Sequence, residues 1–366
     1  MTPPPAVAEF QAAARRLGDH PQDHGWRELY RLFDAAVASG QAPELVDLVA
    51  TAAAARSPTS SPSHLVTVVG IAVRSLAGQE TTTLIGTGPI GPRLRALEEL
   101  LARHRSAVRQ LVARRQNSFT GARRFLVPQV LLAAYFARRD TLAHIADLGT
   151  GLGIMPRQLN SRTLFHRYAP DLPWPEGQPS FAAIPLGQRH GVDRGPLPDL
   201  SWVRTCYGPS AYYDTQYQEL LDALAVPEVA DAPVRYHEFD LADTTTLARF
   251  ITAHRINTAV LCYSLYQFQP VDRAAVVDTL AATLDDPGLI LIIEPTDDLT
   301  RPGCVVTIQD RQRPDPRPVC IVSDGHFRGR VTLAAGYREF VADYPIRFEP
   351  PLTGAVDAAA RDHDAG

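Results

Sequence analysis

The stretch "HIADLGTGLGIM", residues 144–155, decides how the rest of the chain is read. An apolar run closes on an acid, Asp147, and glycines follow at 149, 151 and 153 before the apolar pattern resumes. A strand, a tight turn and a helix in that order form the opening unit of a parallel sheet. Absent side chains let the backbone come close to a ligand, and the carboxylate ahead of them can accept hydrogen bonds from a cationic group.

A second glycine turn, "TLIGTGPIGP" at 83–92, competes with it. A dinucleotide fingerprint needs GxGxxG between a strand and a helix, and an acid about 20 residues on at the end of the next strand. Gly86, Gly88 and Gly91 have that spacing, but "TTTLI" before them is short and an arginine-rich helical pattern, with no second strand, comes after. This turn is expected to be a loop entering a helix, with Pro92 at its start. At 144–155 the flanking elements are right, yet Ile154 stands where the fingerprint requires its third glycine.

Working outward, "HIADL", "GQRHGVD", "VRYHEFD", "TAVLCYSL" and "LILIIEP" read as strands separated by helical segments, the pattern of a parallel sheet covered on both faces. The runs 258–262 and 289–293 are continuously apolar, as central strands buried on both faces should be. "GCVVTIQD" and "RPVCIVSD" follow with no helix between them and are expected to pair antiparallel at the edge. "IMPRQLNSRTLFHRYA" reads as one helix after the glycines, and residues 169–200, rich in Pro and Gly, as an insertion. Ahead of the sheet, "EFQAAARRL", "WRELYRLFDAAVASG", "PELVDLVATAAAARS" and the stretch 92–116 carry apolar residues at helical spacing. The expected architecture is α/β: a helical cap over 1–115, a seven-stranded, mostly parallel sheet domain over 116–350, and a tail over 351–366.

Composition narrows the chemistry. All 36 basic residues are arginine, so Schiff-base chemistry, pyridoxal anchoring and the phosphate-loop lysine are excluded. A net charge of -4 argues against a chain built mainly to hold nucleic acid, and nine arginines between 93 and 124 are read as a solvated helix face. Four cysteines without CxxC spacing give no zinc or redox motif; the HxxxH spacing of His20 and His24 is broken by Pro21 and Gly25, so no metal is expected. No apolar stretch reaches the roughly 18 residues of a membrane helix, and the first residues lack a signal-peptide pattern; a cytoplasmic protein is expected.

The spacing acid-x-G-x-G-x-G resembles the first motif of the class I S-adenosylmethionine-dependent methyltransferases. The resemblance implies a Rossmann-like fold, S-adenosylmethionine as cofactor, and contacts to it from Asp147, Gly149, Gly151 and Gly153. It places Asp193, at the end of "RHGVD", at the ribose hydroxyls, and Asp240 with Leu241, in "HEFDLAD", at the adenine; Asp240 is equally placed to cap the helix that follows. Within that superfamily "RQNSFTGARRF", "RHGVDRGPL" and "YDTQYQELLDAL" resemble segments of the bacterial domain family of unknown function numbered 2332, although Ser118 and Phe119 stand near its usual glutamate. That likeness makes Gln116 and Asn117 candidates to close over the cofactor.

Methyl transfer from a sulfonium is an in-line displacement with a neutral leaving group, so alignment and water exclusion carry most of the work. Tyr263 and Ser264, after the fourth strand, and His326, in "SDGHF", are the candidate catalytic groups. Tyr207, Tyr212 and Tyr266 are the candidate substrate-binding residues, because Tyr213 and Tyr217 share a helical stripe with Leu220, Leu221 and Leu224. The reading is a methyltransferase for a small-molecule acceptor, with a place in secondary metabolism and room for a homodimer. The alternatives are a non-catalytic S-adenosylmethionine- or nucleotide-binding protein, an RNA methyltransferase, and an NAD(P)-dependent oxidoreductase.

Overall fold

The computed structural model describes residues 4–19, 25–56, 60–296 and 302–349. One sheet of eight strands organises them: β1 Ala143–Leu148, β2 Leu186–Asp193, β3 Arg235–Glu238, β4 Thr258–Cys262, β5 Leu289–Pro295, β6 Cys304–Asp310, β7 Arg317–Val322 and β8 Val331–Leu333. Their order is β3-β2-β1-β4-β5-β6-β7-β8. The first five strands run parallel, with Asp147 level with Gly191 on β2 and Val260 on β4. This is the 3-2-1-4-5 order of doubly wound folds, in which strand order reverses between β1 and β4 and a crevice opens at the carboxyl ends there. The class is Rossmann-like α/β.

Beyond β5 the chain meanders, each strand antiparallel to the one before it. The expected β6–β7 pair is present; the three-residue β8 adds an eighth strand to the seven anticipated from sequence. Alternation along the strands explains the layers. Ile145, Val260, Leu291 and Ile293 face one apolar cluster, and Ala146, Leu148, Ala259, Leu261 and Ile290 face the other. The second cluster is completed by Leu247, Phe250 and Ile251 of the helix Thr244–Ala253 and by Val276 and Leu280 of the helix Pro270–Thr283. Each such fully buried Leu, Ile or Phe contributes about 1.5–3 kcal/mol.

The first cluster continues without interruption into the N-terminal helices, from Val7 and Phe10 through Leu65 and Val66 to Val108 and Val112. Among these helices Pro62–Ala77 is apolar around nearly its whole circumference and is buried accordingly. The "GTGPIG" turn is a surface loop leading from the short helix Thr81–Ile85 into the helix Ile90–Arg103, with Pro92 in its first turn. Two expected helices prove to be broken. The arginine-rich one divides at His104 (φ −110°, ψ 22°) into Ile90–Arg103 and Arg105–Arg114; Leu94, Leu97, Leu101, Val108 and Val112 all remain buried. The one after the glycines stops at Gln158, turns at Asn160 (φ 68°), and restarts as Arg162–Tyr168 under a Ser161 cap. The tail 351–366, His20 and His24 lie outside the described residues.

Candidate active site

A cavity opens at the carboxyl ends of β1 to β4, where the strand order reverses. Ten of the residues singled out from sequence line it: Gln116, Asn117, Asp147, Gly149, Gly151, Asp193, Asp240, Leu241, Tyr263 and Ser264. Three acids therefore stand at successive strand ends around one space.

Asp147 ends the buried run of β1 and is 3% exposed. Its Oδ2 accepts from Thr150 Oγ1 at 2.5 Å. Burial pushes its carboxyl up to about 7; the Thr150 hydrogen bond opposes the shift and the charge of Asp193 adds to it. At the end of β2, Asp193 accepts from the Gly151 amide and the Arg194 amide, each at 2.8 Å, and burial raises its carboxyl too. Asp240 pairs with Arg194 at 3.3 Å. The cap of the following helix is Asp243, whose side chain accepts from Thr246 N, so Asp240 is left facing the cavity.

Two of the glycines show why no other residue stands there. At Gly149 (φ +86°) a Cβ would sit 2.5 Å from Ser264 Cβ, and at Gly153 (φ +71°) it would sit 2.3 Å from the Tyr236 ring. Backbone conformation and internal packing thus demand glycine before any ligand is considered. Gly153 does not line the cavity: its carbonyl accepts from Tyr236 Oη at 3.0 Å behind the turn.

The helical cap supplies one wall. Ser61, which caps the helix Pro62–Ala77, donates through its amide to Gln267 O at 2.7 Å and through its hydroxyl to Tyr266 O at 2.9 Å. That clamp brings Ser60 and His64 to the cavity. His64 Nε2 lies 3.0 Å from Gln116 Oε1, which also accepts from the buried Arg56 at 2.5 Å. Burial and the Arg56 charge hold the His64 imidazole down at about 3, so it is neutral. Asn117 is held in turn, donating to Tyr266 Oη at 3.1 Å and accepting from Phe119 N.

Other residues named from sequence stand outside the cavity lining. Tyr207 is fully buried and donates to Thr120 O behind the wall; Tyr212, 41% exposed, lies 3.3 Å from Asp324. Tyr266 meets the site through its hydroxyl, which accepts from Asn117, and through edge-on ring contacts with His64 and Tyr263. His326 packs edge-on against Phe119, with ring centroids 5.0 Å apart. Tyr263 adopts φ +57°, and its phenol is raised well above the ordinary range by burial.

Two further contributors, besides Ser60 and His64, are not among the residues named from sequence. Arg124, 8% exposed, lays its guanidinium 4.1 Å over the Tyr263 ring and 5.1 Å over Phe119, and has no acidic partner among the described residues. The expectation that the arginines of 93–124 form a solvated helix face fails for Arg93, Arg123 and Arg124, which are all buried. Glu294, ending β5, accepts from the amides of Ser264, Leu265 and Tyr266 at 2.8–2.9 Å, and burial lifts its carboxyl to about 7 against those three bonds. An acid closing the apolar run "LILIIEP" repeats the pattern of Asp147 and was the available signal.

No family profile matches the sequence, and no curated protein matches it significantly. Solved structures do resemble it. They include the S-adenosylmethionine-bound CalS10, an amino pentose methyltransferase from Micromonospora echinaspora involved in calicheamicin biosynthesis (13% identity over 60% of this chain and 80% of that one, TM-score 0.25). The CcbJ methyltransferase from Streptomyces caelestis is 14% identical over 56% of this chain and 75% of its own, TM-score 0.24. An O-methyltransferase family protein from Burkholderia thailandensis is 14% identical over 92% and 88%, TM-score 0.28. The fold class rests on the strand order, not on these likenesses.

Proposed function

We propose that the chain is an S-adenosylmethionine-dependent methyltransferase acting on a small molecule. The observation that carries this reading is the row of acids, Asp147, Asp193 and Asp240, at the ends of three adjacent strands around one cavity floored by Gly149 and Gly151. Buried polar atoms without a protein partner gather at the same place: Ser60 Oγ, His64 Nδ1, Arg124 Nε and Ser264 Oγ all belong to residues that line it. Such atoms suit a polar ligand.

The residues fit the zwitterionic cofactor in parts. Asp147 would hold its ammonium, Arg124 its carboxylate, Asp193 its ribose hydroxyls, and Asp240 with Leu241 its adenine. When bound, S-adenosylmethionine supplies a methyl group on an electrophilic sulfonium. The chain's residues then bind, orient and keep out water: Gln116 and Asn117 stand on the cap side, and Tyr263 and Ser264 stand beside the glycine turn as candidates to position the acceptor. Tyr263 holds its proton and acts as a wall and not as a base. His326, Tyr207, Tyr212 and Tyr266 keep at most a supporting role in this proposal.

A nicotinamide dinucleotide is the less suited ligand. Ile154 is fully buried where the third fingerprint glycine would stand, and the helix after the turn, Met155–Gln158, is only four residues long. So short a helix adds little macrodipole to hold a pyrophosphate at its N-terminus. No helix among the described residues is long and apolar enough to cross a membrane; a cytoplasmic setting is part of the proposal. The narrower likeness to the 2332 family, a role in secondary metabolism, the division into cap and catalytic domains and a homodimer remain part of the same proposal.

Calorimetric titration with S-adenosylmethionine, S-adenosylhomocysteine and NADH tests it. Binding of the first two, abolished by Asp147→Ala, is the expected result; binding of NADH alone overturns it. Cofactor binding without methyl transfer to any acceptor in a panel of small nucleophiles would favour the non-catalytic alternative.

A further inference from the structure

Away from the cavity, three histidines from three different elements converge. His190 lies in β2, His237 in the edge strand β3, and His254 closes the C-terminal end of the helix Thr244–Ala253. The strands are parallel with Val192 level with His237, so His190 and His237 are offset by two residues and share a face. One ring nitrogen from each of the three lies within 4.8 Å of the others. Phe250 packs beneath all three rings, at 5.7 Å from His190, 4.8 Å from His237 and 5.1 Å from His254.

The protonation pattern is set from outside. His190 Nε2 lies 3.1 Å from Gln188 Oε1. An amide oxygen only accepts, so the proton of a neutral His190 sits on Nε2 and its Nδ1 lone pair is bare. That lone pair accepts from His237 Nε2, 2.9 Å away, a hydrogen bond that a bound ion would replace, with the His237 proton moving to Nδ1. A hydrogen-bonding partner on the far nitrogen, fixing the tautomer and aiming the near one, is what metal-ligating histidines carry. Arg235 Nη1 reaches the same Gln188 oxygen at 3.5 Å and helps hold it.

We infer that His190, His237 and His254 form a binding site for one divalent transition-metal ion of the imidazole-preferring class, Zn²⁺ foremost. Tetrahedral bonds of about 2.0–2.1 Å would put the three nitrogens about 3.3 Å apart, against a present 2.9 Å between His190 and His237 and no more than 4.8 Å across the three. Three neutral imidazoles leave a fourth position for water. His190 is fully buried whereas His237 and His254 are half-buried, so an ion enters from the solvent side. The ion would tie the edge strand β3 and the helix end to β2. None of the three residues lines the cavity, and the inference stands whether or not the chain transfers methyl groups.

The test uses the full-length, tag-free chain stripped with a chelator. Zn²⁺ is titrated calorimetrically, and Co²⁺ is followed by visible absorption. The expected result is one equivalent bound, a Co²⁺ spectrum without a thiolate charge-transfer band, and affinity lowered about tenfold or more by His254→Gln and by His237→Gln. Zn²⁺ should raise the unfolding midpoint of the wild type and not that of His254→Gln. His166→Gln, in the helix Arg162–Tyr168, serves as the histidine control and should bind normally. Circular dichroism in chelator checks that the variants fold; should His237→Gln not fold, His254→Gln carries the comparison. Absence of one-equivalent binding overturns the inference, as does binding that both glutamine variants retain or that shows a thiolate band.

Discussion

Replacing Asp147 with asparagine should stabilise the unliganded protein while it destroys the site. Burial raises this carboxyl from 3.8 to about 7 in the folded chain. The unfolded chain therefore gives up the proton first. Stability from this group is fully present below 3.8 and is lost as pH rises through 7, at about 1.4 kcal/mol per pH unit in between. At pH 8 the ionised Asp147 then costs the fold about 4 kcal/mol, and at pH 5 about 2 kcal/mol. Asparagine is neutral at every pH, and its Oδ1 can still accept from Thr150. Glu294, raised in the same direction, is present in both proteins and cancels in the comparison. Urea unfolding of wild type and Asp147→Asn without ligand, at pH 8 and pH 5, reads the difference. The variant should be the more stable at pH 8 by about 4 kcal/mol, with roughly 40% of that advantage remaining at pH 5. A variant no more stable than wild type at pH 8, or an advantage that does not shrink on acidification, would refute the reasoning.

Because the ammonium of the proposed cofactor needs an ionised Asp147, affinity for S-adenosylhomocysteine should fall about tenfold between pH 8 and pH 6, measured by calorimetry with the release of the Asp147 proton on binding followed in two buffers. Asp240→Asn should weaken the same ligand with little change in stability, whereas Asp243→Ala should cost about 1 kcal/mol in unfolding experiments and leave binding intact, since Asp243 is the helix cap. Gly153→Ala, at φ +71° against the Tyr236 ring, should destabilise by about 2 kcal/mol or more. Gly88→Ala in the rival turn has open space around its Cβ and should stay within about 0.5 kcal/mol of wild type.

The parallel half of the sheet was legible because its signals are local. Continuous apolar runs at 258–262 and 289–293 became β4 and β5, and "GQRHGVD" proved to be β2 despite the Pro- and Gly-rich segment before it. Breaks inside helical patterns were not legible. His104 interrupts a run dominated by Ala, Leu, Arg and Glu, all strong helix formers, and Asn160 takes a left-handed conformation that few residue types adopt cheaply. Gly149 and Gly153 were read as room for a ligand; packing against Ser264 and Tyr236, contacts from 115 and 83 residues away in sequence, explains them first.

The acids of the cavity were readable because each ends a strand, and strand ends are visible in sequence. The groups that complete the cavity arrive by tertiary docking instead, and one turn links them. Glu294 anchors the amides of Ser264, Leu265 and Tyr266 from the sheet side. Ser61 grips the carbonyls of Tyr266 and Gln267 from the cap side, and Asn117 donates to the Tyr266 hydroxyl. Ser264, on the same turn, closes against Gly149. The separation between the cap and the glycine turn, and with it the width of the cavity, is therefore fixed by a carboxylate that does not line it. A change at Glu294 would be felt at Gly149 on one side and at His64 on the other, although it touches neither.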